Sequence, residues 1–246
     1  VMMPLGPQLM RELEINPQQF GYLISSFALT AGIVGLASAP FMDRFDRRHL
    51  LLIAYAGFTL GTLACALSTT WSMLLVSRAI CGAFGGVSGA TIMAIVSDVV
   101  PASRRARGMG IIMTAFSAAA ALGVPFGLKL AQWFRWEAPF FVVAGIAAVV
   151  WITLFRILPS VRGHLGEDGH NPASDFMLLL KDSNAWKGLA LIASVVFSHF
   201  TIIPYLSPFL VGNTGLKEEH LFLVYMIGGG VTVYSGPTIG RLADKY

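Results

Sequence analysis

The sequence predicts an all-α membrane protein, and three observations carry that prediction. Apolar runs recur along the whole chain. Charged residues make up 12% of it, against about 25% in soluble domains. The basic residues gather in alternate turns between the runs. A helix that crosses a bilayer needs roughly 20 mostly apolar residues. Seven stretches meet that requirement, at 18–41, 50–68, 71–99, 108–133, 137–158, 187–211 and 219–239.

Each run has its own punctuation. Asn16-Pro17 is an N-cap followed by a proline in the first helical turn, where its missing N–H costs nothing. Ser68-Thr69-Thr70 separates the second run from the third. Pro101 closes the third run, because the residue before a proline avoids helical geometry. Residues 1–10, VMMPLGPQLM, are apolar but too short to span. They read as the tail of an earlier helix, and the chain reads as a fragment of a longer protein that stops after its last run.

The turns fix an orientation. With that earlier helix counted, one set of alternate turns carries Arg44, Arg47, Arg48, Arg104, Arg105, Arg107, Arg156, Arg162, Lys181, Lys187, Arg241 and Lys245. The opposite set carries Arg11, Arg135 and Lys217. Basic turns stay on the cytoplasmic side, which predicts a multi-pass protein of the plasma (inner) membrane with these loops cytoplasmic. The net charge of +4 thus reflects topology, and no nucleic-acid partner is expected. The segment 159–186 is the most polar long connection. Domain boundaries follow: 1–158 an N-terminal helical bundle, 159–186 a cytoplasmic linker, 187–246 the start of a second bundle. Phe176–Leu180 suits an interfacial helix.

Cys65 and Cys81 both fall inside apolar runs, so they imply no disulfide framework. The runs hold few other groups capable of chemistry: Arg78, Lys129, His199, and Asp98 near one end. No HExxH or Gly-x-Ser-x-Gly pattern is present. An enzyme is not expected, nor a cofactor or a metal site. Gly82, Gly85, Gly86 and Gly89 follow no strand, so they are not a phosphate loop. Gly82 with Gly86, and Gly85 with Gly89, are small-xxx-small pairs for close helix packing, as are Gly57 and Gly61.

The densest charge lies in FMDRFDRRH, 41–49, which places Asp43, Arg44, Asp46, Arg47 and Arg48 in six positions. An echo, GRLADKY, occupies 240–246 and aligns Asp244 with Asp43. Parallel repeats of a six-helix half are a transporter architecture. These two turns resemble the signature Gly-x-Leu-Ala-Asp-Arg-x-Gly-Arg-Lys of the major facilitator superfamily. The first copy departs from it at two glycines, here Ala39 and Asp46. Aspartate tolerates the left-handed turn a glycine there would permit better than most residues do.

The resemblance implies the major facilitator fold: two pseudo-symmetric six-helix bundles, truncated here to the end of helix 1 through the helix 8–9 turn. It also implies roles. Asp43, Arg44, Arg47, Arg48, Asp98 and Asp244 would form a conformational latch, closed in the outward-open state and released in the inward-open one. Arg78 and Gly82 match an Arg-x-x-x-Gly pattern on helix 4 linked to proton transfer. Gly123, Pro125 and Gly127 resemble the helix-5 packing motif of drug and sugar exporters in the 12-helix drug/proton antiporter branch. His199 and Tyr205 fall on helix 7, which lines the family's central cavity, and Pro204 and Pro208 would bend it. Lys129 lies near the far end of its run and would snorkel to the interface.

The function so implied is secondary active transport by alternating access: proton-coupled efflux of drugs, sugars or small metabolites. The alternatives are a proton/substrate symporter for uptake, or a transport-inactive membrane sensor. The expected partners are a small-molecule substrate, protons and the lipid bilayer, and the expected state is a monomer.

Overall fold

The computed structural model describes residues 2–42, 44–101, 104–162 and 181–231, and every regular element among them is helical. A short 3-10 turn, Met3–Leu5, leads into α1, Gly6–Glu12. The long helices follow as α2, Pro17–Met42; α3, Arg47–Ala66; and α4, Trp71–Val99. Next comes a continuous helical stretch in three parts: α5, Arg105–Ala118; a π-helical turn, Ala119–Gly123; and α6, Val124–Trp133. Then come α7, Ala138–Ile157, and α8, Ser183–Thr214. A 3-10 turn at Glu218–His220 starts a last helical segment, 221–231. α2, α3, α4, α7 and α8 are each long and apolar enough to cross a membrane.

The helix ends follow local chemistry. Asn16 and Gln19 form a reciprocal capping box at α2. The Gln19 N–H donates to Asn16 Oδ1 at 2.8 Å, and the Asn16 N–H to Gln19 Oε1 at 3.0 Å. Thr70 caps α4 through the Met73 N–H, and Asp182 caps α8 through the Asn184 N–H. Gly215, at φ 70°, ends α8 in the left-handed region. That geometry lets the Leu216 N–H return to the Leu210 carbonyl at 3.2 Å. α8 stays helical through Pro204 and Pro208. The π turn directly precedes Pro125, whose ring removes one backbone donor. A wider turn relieves that strain.

α4 is the centre of the first bundle and packs on both α2 and α3. A Cβ on Gly82 would fall on the Phe27 carbonyl oxygen of α2, and one on Gly86 on the Ala31 carbonyl oxygen. On the other side, Gly57 lies under the Phe84 ring and Gly61 against the Cys81 backbone. Glycine here removes the side chain that would hold the helices apart, which is how helices gain contact in lipid. Two expected packing positions differ. Among the described residues, nothing lies within 4 Å of where a Cβ on Gly89 or Gly123 would stand. Gly123 is the last residue of the π turn. α7 joins through Trp151, whose indole N–H donates to the Leu52 carbonyl at 2.9 Å. Leu29, Ile33, Leu36, Ile53, Leu60 and Val149 are each more than half exposed, as a lipid-facing surface should be.

We call the end that carries Arg44, Arg47, Arg48 and Arg104 the basic end, and the opposite one the far end. The main apolar cluster lies toward the far end. It joins Leu5, Leu9, Phe20, Leu23, Leu74, Leu128, Trp136 and Phe140 to Leu210, Val211, Leu221 and Phe222 from beyond the linker. Toward the basic end α8 separates from the first bundle: 187–198 is exposed throughout among the described residues.

Candidate functional site

Where the two parts meet, a cavity of about 710 Å³ opens between them. α2 contributes Ile24 and Phe27; α3 Phe58, Thr62 and Cys65; α4 Arg78 and Cys81. Met2, Met3, Pro4, Val124, Phe140 and Val143 close one side. Ile203 and Leu206 of α8, with Val224, Tyr225, Gly228 and Gly229, form the opposite wall. The volume falls in the range of about 300–1,000 Å³ usual for small-molecule sites.

Arg78 is the one charged residue among the described lining. Helical spacing puts it there: Arg78, Gly82 and Gly86 lie four residues apart on the α4 stripe that faces α2. Gly82 brings α2 close, and Arg78, one turn away, reaches past Phe27. Its Nε donates to the Leu23 carbonyl at 3.3 Å, and its guanidinium lies 4.5 Å from the Phe27 ring centre. A cation over an aromatic face is favourable, more so away from water. The other polar side chains are engaged. Thr62 Oγ1 donates to the Phe58 carbonyl at 2.8 Å and lies 3.3 Å from the Cys81 thiol. The Tyr225 and Ser207 hydroxyls pair at 2.8 Å.

Tyr205 falls outside this lining. Its hydroxyl lies over the α2 backbone at Gly21, where a Cβ would come within 2.6 Å of it. It therefore closes the contact between α2 and α8 and does not line the cavity. Lys129 differs from a simple snorkelling residue: its Nζ lies 4.1 Å from the centre of the Phe222 ring. The His199 side chain lies outside the described residues. Pro125 and Gly127 are buried within α6.

The far end is shut by apolar packing with a polar rim. Arg11 Nη1 and Nη2 donate to the two carboxylate oxygens of Glu218 at 2.7 and 3.2 Å. The hydrogen bond from the guanidinium to Glu218, and the attraction between them, raise the Arg11 pKa. Gln132 Nε2 donates to the Glu218 carbonyl at 2.9 Å.

The basic end is built differently. Arg47 Nε and Asp98 Oδ2 pair at 3.2 Å, with the two side chains 6% and 23% exposed. Both belong to the first bundle, so parting the two bundles does not by itself break this pair. Arg48 donates from Nη2 to the Phe155 carbonyl at 2.7 Å. The Arg44 guanidinium lies 5.8 Å from the centre of the Phe41 ring. Asp43 and Asp244 lie outside the described residues.

Asp46 is the residue whose role the sequence concealed. Its backbone, at φ −58° and ψ 121°, is extended, so the left-handed turn expected of a glycine substitute is absent. It caps α3 instead, accepting from the Arg48 N–H at 2.9 Å. The same buried carboxylate also accepts from the Ser160 hydroxyl, from the Val161 N–H at 3.1 Å and from Arg162 Nε at 3.0 Å. The Arg47 N–H donates to the Val161 carbonyl at 3.3 Å. Burial pushes the carboxyl up. The hydrogen bonds from Ser160, Arg48, Val161 and Arg162 outweigh it and hold the group well below the usual carboxylate range. The signal in the sequence was the Asp-x-Arg pattern at a helix start. Its distant partners at 160–162 left none.

Among the described residues no group of three or more His, Cys, Asp or Glu is placed to hold a metal ion. A family model described as Major Facilitator Superfamily matches residues 1–246. A probable sugar efflux transporter of Helicobacter pylori (strain P12) is 25% identical over 238 residues, 96% of this chain and 59% of that protein. The uncharacterized MFS-type transporter YceJ of Bacillus subtilis (strain 168) is 28% identical over 159 residues, 65% of this chain and 40% of that protein. In fold the chain is similar to a bacterial homolog of the human lysosomal transporter Spinster, solved in an inward-facing and unoccupied conformation. The TM-score is 0.77, at 18% identity, over 99% of this chain and 58% of the other. The chain thus spans about 40–60% of the length of these relatives.

Proposed function

The chain belongs to the major facilitator superfamily, and on that premise we propose that it forms the first bundle and the opening helices of the second in a secondary active transporter. Membership in this family of transporters sets the enzyme alternative aside. The observation that carries the proposal is the cavity between the two bundles, shut at the far end and holding one arginine. A site between two rocking halves is what alternating access requires. With basic turns on the cytoplasmic side, the protein sits in the plasma membrane in an inward-open state.

The direction proposed is efflux, driven by protons moving the other way. The similarity to sugar efflux transporters supports that direction, as does the helix-5 variant around Pro125. Arg78 lies in the path of substrate and proton, with His199 on the helix opposite. The latch is proposed on Arg44, Arg47, Arg48 and Asp98 at the basic end, where the Arg47–Asp98 pair stiffens the first bundle as it rocks. The transporter acts as a monomer, and 159–186 is the linker between its bundles.

The test uses inverted membrane vesicles containing the full-length protein, with an acid lumen and a pH-sensitive dye. Adding an exported substrate should raise the lumenal pH, and Arg78→Ala should abolish the response. Substrate-dependent acidification of cells taking up the same compound would instead establish the symporter.

A further inference from the structure

Arg78 has donors to spare. Nε is engaged with Leu23, while the two Nη groups have no hydrogen-bonding partner among the described residues. No carboxylate stands among the described residues that line the cavity. A guanidinium keeps its charge at any physiological pH and presents a planar fork that matches a carboxylate, sulfonate or phosphate. An uncompensated cation in apolar surroundings is costly. That cost falls when an anion enters, and the resulting charge-assisted hydrogen bonds are about twice as strong as neutral ones.

The rest of the wall fixes the other end of the ligand. Ile24, Phe58, Val143, Ile203 and Leu206 offer only hydrocarbon. A sugar carries a hydroxyl on nearly every carbon, and each one left unpaired against such a wall costs free energy. The Thr62 and Tyr225 hydroxyls are already engaged. A lipophilic cation suits the wall but is repelled by Arg78.

We propose that this cavity binds amphipathic organic monoanions, with one anionic group on the Arg78 fork and an apolar body against α3 and α8. This rests on the cavity being the transported substrate's site, and it narrows the expected drugs, sugars or small metabolites to one class that leaves sugars out.

The experiment measures equilibrium binding, not transport. Full-length protein in nanodiscs of uncharged lipid is titrated with three probes that share one ring system: naphthalene-2-sulfonate, naphthalene-2-methanol and 2-naphthylmethylammonium. The sulfonate should bind about tenfold more tightly than the alcohol, and the ammonium most weakly. Arg78→Gln should bring the sulfonate to the alcohol's affinity, and Arg78→Lys should keep part of the preference. Thermal unfolding of each variant checks that it is folded. Equal binding of the three probes, a preference for the ammonium, or a sulfonate preference that survives in Arg78→Gln would overturn the proposal. A sulfonate preference without transport of any anion in proteoliposomes would support this site and count against the transport reading. Sugar transport unaffected by saturating sulfonate would do the reverse.

Discussion

The two ends of this molecule hold themselves together by different physics. At the basic end the contacts are ionic and polar and run within the first bundle or to the chain that leaves it: Asp46 gathers the Ser160–Arg162 segment onto the start of α3, and Arg47 pairs with Asp98. At the far end the contacts run between the bundles and are mostly apolar, from Leu5, Leu9 and Phe20 to Leu210 and Leu221, with Arg11–Glu218 at the rim. Under the proposed rocking mechanism, the difference suits a molecule that parts at one interface without losing its parts. Apolar packing is non-directional and can be remade elsewhere. A buried carboxylate that holds several donors at once is costly to lose, because the cap and all of its hydrogen bonds go together.

Breaking the basic end should therefore cost folding, and the largest effect is expected at Asp46. Asp46→Ala removes a cap and with it the hydrogen bonds from Ser160, Val161 and Arg162. It should destabilise the protein by about 2–3 kcal/mol, read from unfolding in detergent. Asp46→Asn should recover part of that loss, because it still caps the helix. The pH dependence has a definite sign. The folded-state pKa lies below the unfolded value of about 3.9. The stabilisation is therefore complete above about pH 4 and fades as pH falls through the lower folded value. Asp46→Asn should flatten that acid limb, and an unchanged limb would show that the carboxylate's pKa is not held down.

Asp98→Asn should cost somewhat less, about 2 kcal/mol, since a fully buried pair loses about 3–5 when one partner is removed and Asp98 is partly exposed. Adding Arg47→Met to that variant should cost less than the sum of the two single changes, because the two side chains are coupled through their ion pair. If the two costs simply add, Arg47 is held mainly by other contacts.

The far end is expected to yield a change in conformation with little change in stability. Gly21→Val would place a side chain against the Tyr205 hydroxyl and wedge α8 away from α2. Cys65 and Cys81 line the cavity, so their labelling by a membrane-impermeant maleimide from the far side should rise about tenfold, equivalent to about 1.4 kcal/mol. Tyr205→Phe in the same chain should reverse part of it. No change in labelling would mean that Tyr205 does not govern the closure. The smallest effect belongs to Arg11→Ala. An exposed ion pair is worth about 0–1 kcal/mol, so the same labelling should change by less than about fivefold and the difference should vanish in high salt.

Much of the architecture was legible in the sequence. α4 runs from Trp71 to Val99, the bounds its apolar run predicts, because a spanning helix must be apolar throughout its length. The charge in 41–49 marked the basic end and named Arg47 and Arg48, while Asp98 came from the family resemblance. The cavity residue Arg78 was legible as well, since a charge inside an apolar run must find an interior partner. Less legible was which face of each helix meets a neighbour. In water the apolar stripe shows that face; in lipid the outward face is equally apolar, and the stripe disappears. Gly82 and Gly89 therefore look alike in the sequence, while one touches α2 and the other nothing among the described residues. Tyr205 went unrecognised as a closing contact for the same reason.

By itself, then, the sequence determined the spans found as α2, α3, α4, α7 and α8 and the scarcity of charge within them, because both follow from the free energy of moving a residue from water to lipid. Tertiary structure alone decided what Asp46 does with its carboxylate, which glycines are touched, and that Arg78 ends in a shared cavity with two donors unspent. Those depend on residues far apart in the chain, such as Asp46 and Ser160 or Gly21 and Tyr205, whose meeting is set by helix packing and leaves no mark on the local pattern.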